Sequence, residues 1–199
     1  PLVTLGQLLI ISGLVLSFSR GAWLAALVGL AIASVVSVRR KTSALFFKQI
    51  IYAAAIVLVF LATRWPLFSA RLKGEARLEL RSLQERSYQN KDAVEIFWDH
   101  PFYGVGLRNY TFVVNEFKMQ ALKQPVHNVY ILMLVELGII GFGLLAWFLW
   151  LLKGAVSLGM LPLIAVLATA GLFDHYLWSF YSGLMLVGLG VGFAIKGRG

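Results

Sequence analysis

Six apolar runs limit what this chain can become. They cover residues 2–18, 22–38, 44–62, 129–152, 155–173 and 177–195. A spanning helix needs about 20 mostly apolar residues. In lipid, every backbone N–H and C=O must be satisfied within the protein, and an open chain meets that demand only as helix. The reading is an all-α, polytopic transmembrane protein of about six spans. Composition agrees, since 59% of residues are hydrophobic against roughly 45–50% in soluble domains. With no cysteine, disulfides, thiolate metal sites and a cysteine nucleophile are excluded. Pro1 is not an initiator methionine and the first run starts at once, so the chain reads as a piece of a longer one.

One long polar stretch interrupts the pattern at residues 64–127, dividing the chain into 1–63, 64–127 and 128–199. It holds ten of the 18 Lys/Arg, seven of the nine acids and two of the three histidines. The net charge is +9. Such charge suits anionic headgroups or a phosphorylated substrate, and the hydrophobic frame argues against nucleic acid. Short-loop charges set orientation. Arg39, Arg40 and Lys41 join runs two and three, Lys153 joins four and five, and Lys196 and Arg198 follow run six. With six spans these share one side, the cytoplasmic one. Ser19-Arg20-Gly21, the 64–127 loop and Asp174-His175-Tyr176 then face the exoplasm.

Within the loop, residues 75–99 read as an amphipathic helix with Leu72, Ala76, Leu80, Leu83, Ala93, Val94 and Phe97 as its stripe. Pro101 stops it at His100. Residues 101–106 form a turn, and 109–122 a second short helix ended by Gln124-Pro125. The loop aromatics suit a segment lying at the interface.

Arg20 sits between two apolar runs, where charge is costly; it either snorkels to headgroups or binds an anion. Arg64, Arg71, Arg77, Arg81, Arg86 and Arg108 alternate with acids, and Arg81–Glu85 has pairing distance along a helix. Most of these form a solvated face, yet arginine's planar fork also suits diphosphate. His127 follows a proline and opens a helix, where the macrodipole disfavours imidazolium and leaves a neutral base; the alternative is a capping or packing residue. The three histidines lie far apart with no ligand spacing, so no metal site is expected. Asp174-His175 is either a helix-end anchor or a substrate contact.

Three groups of residues, in this order, resemble the O-antigen ligase and polymerase family over about residues 10–150. They are Ser19-Arg20-Gly21-Ala22 with Leu24; Arg86 and Ala93 followed by Asp99-His100-Pro101-Phe102-Tyr103-Gly104-Val105-Gly106; and His127-Asn128 with Gly138 and Gly141. The resemblance implies a metal-independent glycosyltransferase of the GT-C type, without cofactor, in the bacterial inner (plasma) membrane with its site facing the periplasm or the exterior. The donor is a glycan on undecaprenyl diphosphate, and the acceptor is a hydroxyl of a glycan, the lipid A core or a protein. Carried over, Arg20 and Arg86 hold the diphosphate, with Arg71, Arg81 and Arg108 as further candidates. His127 is the base, and Gly104 and Gly106 shape the loop's turn. Such enzymes usually have about a dozen spans, which again marks this chain as the C-terminal part of one or as a domain excerpt. Ligase, polymerase and protein O-oligosaccharyltransferase stay open. So do a non-catalytic transporter of lipid-linked glycan, for which broken helices would speak and none is visible in the sequence, and a structural subunit that scaffolds a synthesis complex.

Overall fold

The structure, a computed structural model, describes residues 2–73, 77–117 and 124–196. All regular elements among them are helical. They are α1 (Leu2–Leu16), α2 (Arg20–Arg39), α3 (Ser43–Lys73), α4 (Arg77–Asp99), α5 (Tyr110–Phe117), α6 (Val129–Leu152), α7 (Leu161–Gly171), the short α8 (Tyr176–Ser179) and α9 (Tyr181–Lys196), with two 3₁₀ turns before α7. Three helices are long and apolar enough to cross a membrane: Arg20–Arg39, Phe46–Pro66 and Val129–Leu152. Their outer faces expose Leu27, Val35, Ile51, Leu58, Leu144 and Phe148. A surface of that kind suits lipid, not water.

The other three runs form shorter apolar helices, for local reasons. α1 ends where the Ser17 hydroxyl donates to Leu14 O (2.7 Å) and Ser19 caps α2, its Oγ accepting from Ala22 N at 3.2 Å. The fifth run spends its start on 3₁₀ turns, and α7 begins at Leu161 with Pro162 in its first turn. The sixth is interrupted at Phe180, which is extended between α8 and α9.

The expected boundary between residues 63 and 64 is a kink within α3. Arg64 has φ −126°, ψ 20°, and Pro66 follows inside the helix. Proline lacks the N–H and its ring clashes with the carbonyl four residues back. The bend carries Phe68, 3% exposed, onto the α1–α2 turn, with ring centroids 5.1 Å from Phe18 and 5.7 Å from Trp23.

α2 packs along α7. The cause is a small residue at every fourth position of α2: Gly21, Ala25, Gly29, Ala33 and Ser37. Helices without a hydrophobic driving force between them associate through such small faces. A β-carbon on Gly29 would collide with the Val166 side chain, and one on Gly21 would lie 2.6 Å from Phe173 Cβ.

The polar stretch builds its own core on the first half of α6, from Ala93, Ile96, Tyr110, Val114, Val126, Leu132 and Val135. The stripe expected on α4 is partly displaced. Ala93 is buried with Gln89, Asp92 and Ile96, while Leu80, Leu83 and Val94 are 54%, 48% and 50% exposed. Contact with α6 and α5 is made through the second half of α4, so Leu80 and Leu83 lie beyond the core, while Ala76 and the Leu72 side chain fall outside the described residues.

α6 is one run in sequence but two helices in space. Gly138 has φ 63°, ψ −178°, a region that non-glycine residues avoid. An unbroken helix would bond the N–H groups of Ile139 and Ile140 to the carbonyls of Val135 and Glu136. Instead Ile139 N donates to Pro101 O (2.8 Å) and Ile140 N to Phe102 O (3.2 Å). The freed carbonyls of Val135 and Glu136 accept from Val105 N (3.0 Å) and Gly106 N (2.9 Å). The 101–106 turn thus replaces two helical bonds with four. Gly104 (φ 66°) makes room, since a β-carbon there would meet the Glu136 carbonyl at 2.5 Å. The expectation of no broken helix is therefore corrected. Its freed backbone groups are taken up by the chain itself and do not line an open path.

Candidate functional site

Arg20 is the first residue of α2 and Arg86 lies in the first half of α4. Both line one cavity of about 700 Å³, together with Ser82, Leu83, Asp174 and Tyr176. The α2–α7 packing brings the start of α2 beside the end of α7, so Arg20 and Asp174 line the same cavity, and Arg86 reaches it from α4.

Asp174 also joins this cavity to the histidines. Its carboxylate accepts from His175 N at 2.7 Å, and after burial it is the chief influence raising the Tyr176 hydroxyl. Polar atoms of His127, Asp174 and His175 lie within 4.8 Å of one another. The two imidazoles meet edge to face, with centroids 5.2 Å apart. His127 Nδ1 lies 2.8 Å from Gln89 Oε1. His175 stacks on Phe180 at 5.9 Å, and its Nδ1 is buried without a hydrogen-bond partner.

His127 does precede a helix, but Asn128 is the cap, its Oδ1 accepting from Tyr130 N (2.9 Å) and Ile131 N (3.1 Å). Burial is the main force lowering the imidazole below its ordinary value of 6.5; Asp174 opposes it, Arg86 adds to it and Glu85 opposes it. His175 is lowered too, again chiefly by burial, with Asp174 opposing and His127 adding. Two neutral rings beside a carboxylate can accept and pass protons at neutral pH.

The same trio is the candidate for a cation. Zinc holds nitrogen and oxygen ligands at about 2.0–2.2 Å, usually three or four from the protein. Here three ligand atoms spread over up to 4.8 Å, one ring nitrogen is already engaged by Gln89, and Arg86 is close enough to lower the His127 imidazole. Nearby positive charge disfavours a cation, so the trio fits proton handling better than metal binding. The sequence separation of these residues hid the cluster.

Arg81 and Arg108 make contacts of other kinds. Arg81 pairs with Glu85 on the surface of α4 at 2.8 Å. Arg108 donates to Ser179 O (2.8 Å) and sits 5.0 Å over the Tyr181 ring, tying the loop to the α8–α9 junction. The Arg71 side chain lies outside the described residues. Gly104 and Gly106, with φ of 66° and 92°, belong to the turn seated in α6. Beside that turn, the buried Glu136 accepts from Trp178 Nε1 at 2.7 Å.

The sequence model of the O-antigen ligase family matches residues 5–146. That is most of the chain, and it contains Arg20, Arg86, the turn and His127. The chain belongs to the O-antigen ligase family. No curated protein and no solved structure matches it. Membership makes this an O-antigen ligase-type membrane protein of glycan processing. Asp174 and His175 fall beyond the matched residues, yet they complete the cluster around His127. Gln89 was missed by sequence reasoning, although a signal existed. Arg86, Gln89, Ala93 and Ile96 step by three and four along α4, so they share a face; a stripe read from apolar residues alone leaves out its two polar members.

Proposed function

We propose that this protein transfers a glycan from undecaprenyl diphosphate to a hydroxyl acceptor at the outer face of the bacterial inner membrane, as an inverting, metal-independent transferase of the GT-C type. Arg20 and Arg86 hold the diphosphate, and His127 takes the acceptor proton. The observation that carries this reading is the single cavity shared by Arg20 and Arg86, linked through Asp174 to a neutral His127. In the reaction, the acceptor oxygen bonds to the anomeric carbon from the face opposite the diphosphate. The bond from that carbon to the diphosphate oxygen breaks, and the departing oxygen keeps the electron pair beside the two guanidinium groups. Arginine gives bidentate, charge-assisted hydrogen bonds to such oxygens, and stabilisation of developing charge is the largest catalytic term in many sites.

The six-span topology with 64–127 as an exoplasmic loop belongs to the same proposal. One contact supports it. The Arg40 guanidinium lies within 3 Å of the position a β-carbon would take on Gly159, so the basic end of α2 and the turn before α7 share an end of the bundle. Arg20 lies at the other end, about 30 Å away along a 20-residue helix.

Arg20→Ala and Arg86→Ala in the full-length protein test the reading. Each removes a charge-assisted contact of about 1.5–3 kcal/mol, so donor binding weakens about tenfold to a hundredfold. Titration with a polyprenyl-diphosphate glycan reads this directly, and unchanged donor affinity in both variants refutes the assignment. The acceptor class follows from product length on a gel, with and without a lipid A core acceptor.

The pH profile gives a separate check. A general base acts in its neutral form, and His127 is lowered from 6.5 by burial. Activity therefore persists as pH falls through the ordinary imidazole range, and the acidic limb of kcat/KM lies below about 6.5. A limb above that value contradicts a buried neutral base.

A further inference from the structure

We propose that Gln89 is a positioning residue that dictates which nitrogen of His127 accepts the proton. This deepens the reading of His127 as the base and rests on it. Gln89 is 7% exposed, on the half of α4 that Ala93 and Ile96 pin against Tyr110, Leu132 and Val135. Its backbone carbonyl accepts from the Tyr110 hydroxyl at 3.4 Å. α4 therefore presents the carboxamide from a fixed place, with Oε1 2.8 Å from His127 Nδ1.

An amide oxygen carries no hydrogen, so the hydrogen in this contact belongs to Nδ1. A neutral imidazole has one N–H only. Nε2 therefore bears the free lone pair and is the basic atom. When the acceptor O–H gives its proton to Nε2, the ring becomes a cation whose Nδ1–H still rests on Gln89. The charged groups that face this ring are Asp174 from the α7–α8 connection and Arg86 and Glu85 from α4, with the His175 ring against it. Asp174, with a carboxylate oxygen within 4.8 Å of a His127 ring nitrogen, stabilises the cation. An amide holds the tautomer without adding negative charge, so the ring stays neutral between turnovers; a carboxylate at this place would raise its basicity. Gln89 and Arg86 stand three residues apart on α4, so the helix that contacts the leaving group also sets the base.

The test uses the full-length protein in nanodiscs, with Gln89→Leu and Gln89→Glu, transfer from a polyprenyl-diphosphate glycan, and the imidazole ¹⁵N shifts of His127. In the unsubstituted protein the shifts show hydrogen on Nδ1. Gln89→Leu lowers kcat about tenfold to a hundredfold, the usual effect of losing such an outer partner, leaves donor KM unchanged and abolishes the single tautomer. Gln89→Glu retains the tautomer and moves the acidic limb upward by about one pH unit. Hydrogen on Nε2 in the unsubstituted protein overturns the inference. So does a Gln89→Leu protein with unaltered kcat and tautomer, or a Gln89→Glu protein whose limb does not move. If Gln89→Leu fails to fold, the ¹⁵N shifts and Gln89→Glu decide alone. His127→Ala separates the two claims, since normal transfer in that variant removes the base while leaving the tautomer result readable.

Discussion

Replacing His127 with alanine lowers transfer by about 10²–10⁴-fold, the range contributed by a positioned general base. The effect falls on kcat. Donor affinity changes little, because the residues proposed to hold the diphosphate are Arg20 and Arg86, which line a cavity that His127 does not line. The substitution also strands Gln89 Oε1, which bonds His127 Nδ1 at 2.8 Å. An unsatisfied buried polar group costs about 1–3 kcal/mol, so the protein loses stability without losing its fold. Transfer is therefore measured per unit of folded, membrane-inserted protein. Near-normal turnover with intact expression would falsify the role given to His127. A loss that appears only as weaker donor binding would instead make the imidazole part of the diphosphate site.

The second large effect is structural. Gly138→Val removes the break in α6, and with it the seat of the 101–106 turn. A backbone at φ 63°, ψ −178° lies in a region kept almost wholly to glycine and costs a substituted residue about 1–3 kcal/mol. The added β-carbon would also collide with Phe102 O and lie 2.5 Å from Gly104 N. Both are backbone atoms that cannot swing aside. Losing two of the four bonds between turn and helix, at about 1–3 kcal/mol for each group left buried and unpaired, brings the expected cost to about 4 kcal/mol or more. Such a protein shows a large drop in thermal stability in detergent, and amide exchange at Val105 and Gly106 becomes fast. Gly143→Ala is the control. Nothing lies within 4 Å of a β-carbon there, and alanine is favoured over glycine in a helix by about 1 kcal/mol. If both variants behave alike, the turn is not held by Gly138.

These two sites differ in how far the sequence exposed them. Apolar length alone marks the helices, because lipid leaves the backbone no other choice. Pro66 marks the kink near Arg64, since its effect is local. Gly138 carries no such mark. Within 129–152 it costs nothing in hydropathy, and its φ is imposed by a turn that lies in another part of the chain. The same holds for the cavity. Arg20, Arg86 and His127 are each visible as unusual residues, but nothing in their spacing says that the first two share a cavity. That depends on the small face of α2 and on the core under α4. Asp174 and His175 looked like a helix end because their partner, His127, is reached only through the fold. Arg108 shows the reverse. It read as a further diphosphate candidate, and the structure gives it a fixed duty at Ser179 and Tyr181, away from the cavity.

The face of α2 that meets α7 has a consequence for depth. Its small residues recur every four positions, about 6 Å of helix rise, and bulky side chains fill the steps between them. α2 can therefore seat on α7 only at discrete levels, like a notched rod. At the observed level Gly29 faces Val166 and Gly21 faces Phe173, which brings Arg20 level with Asp174. One notch lower, the guanidinium would sink among apolar side chains; one notch higher, it would leave the cavity for solvent. The level at which the Arg20 guanidinium meets its cavity is thus counted out by glycine and alanine, far down the helix from the charge itself.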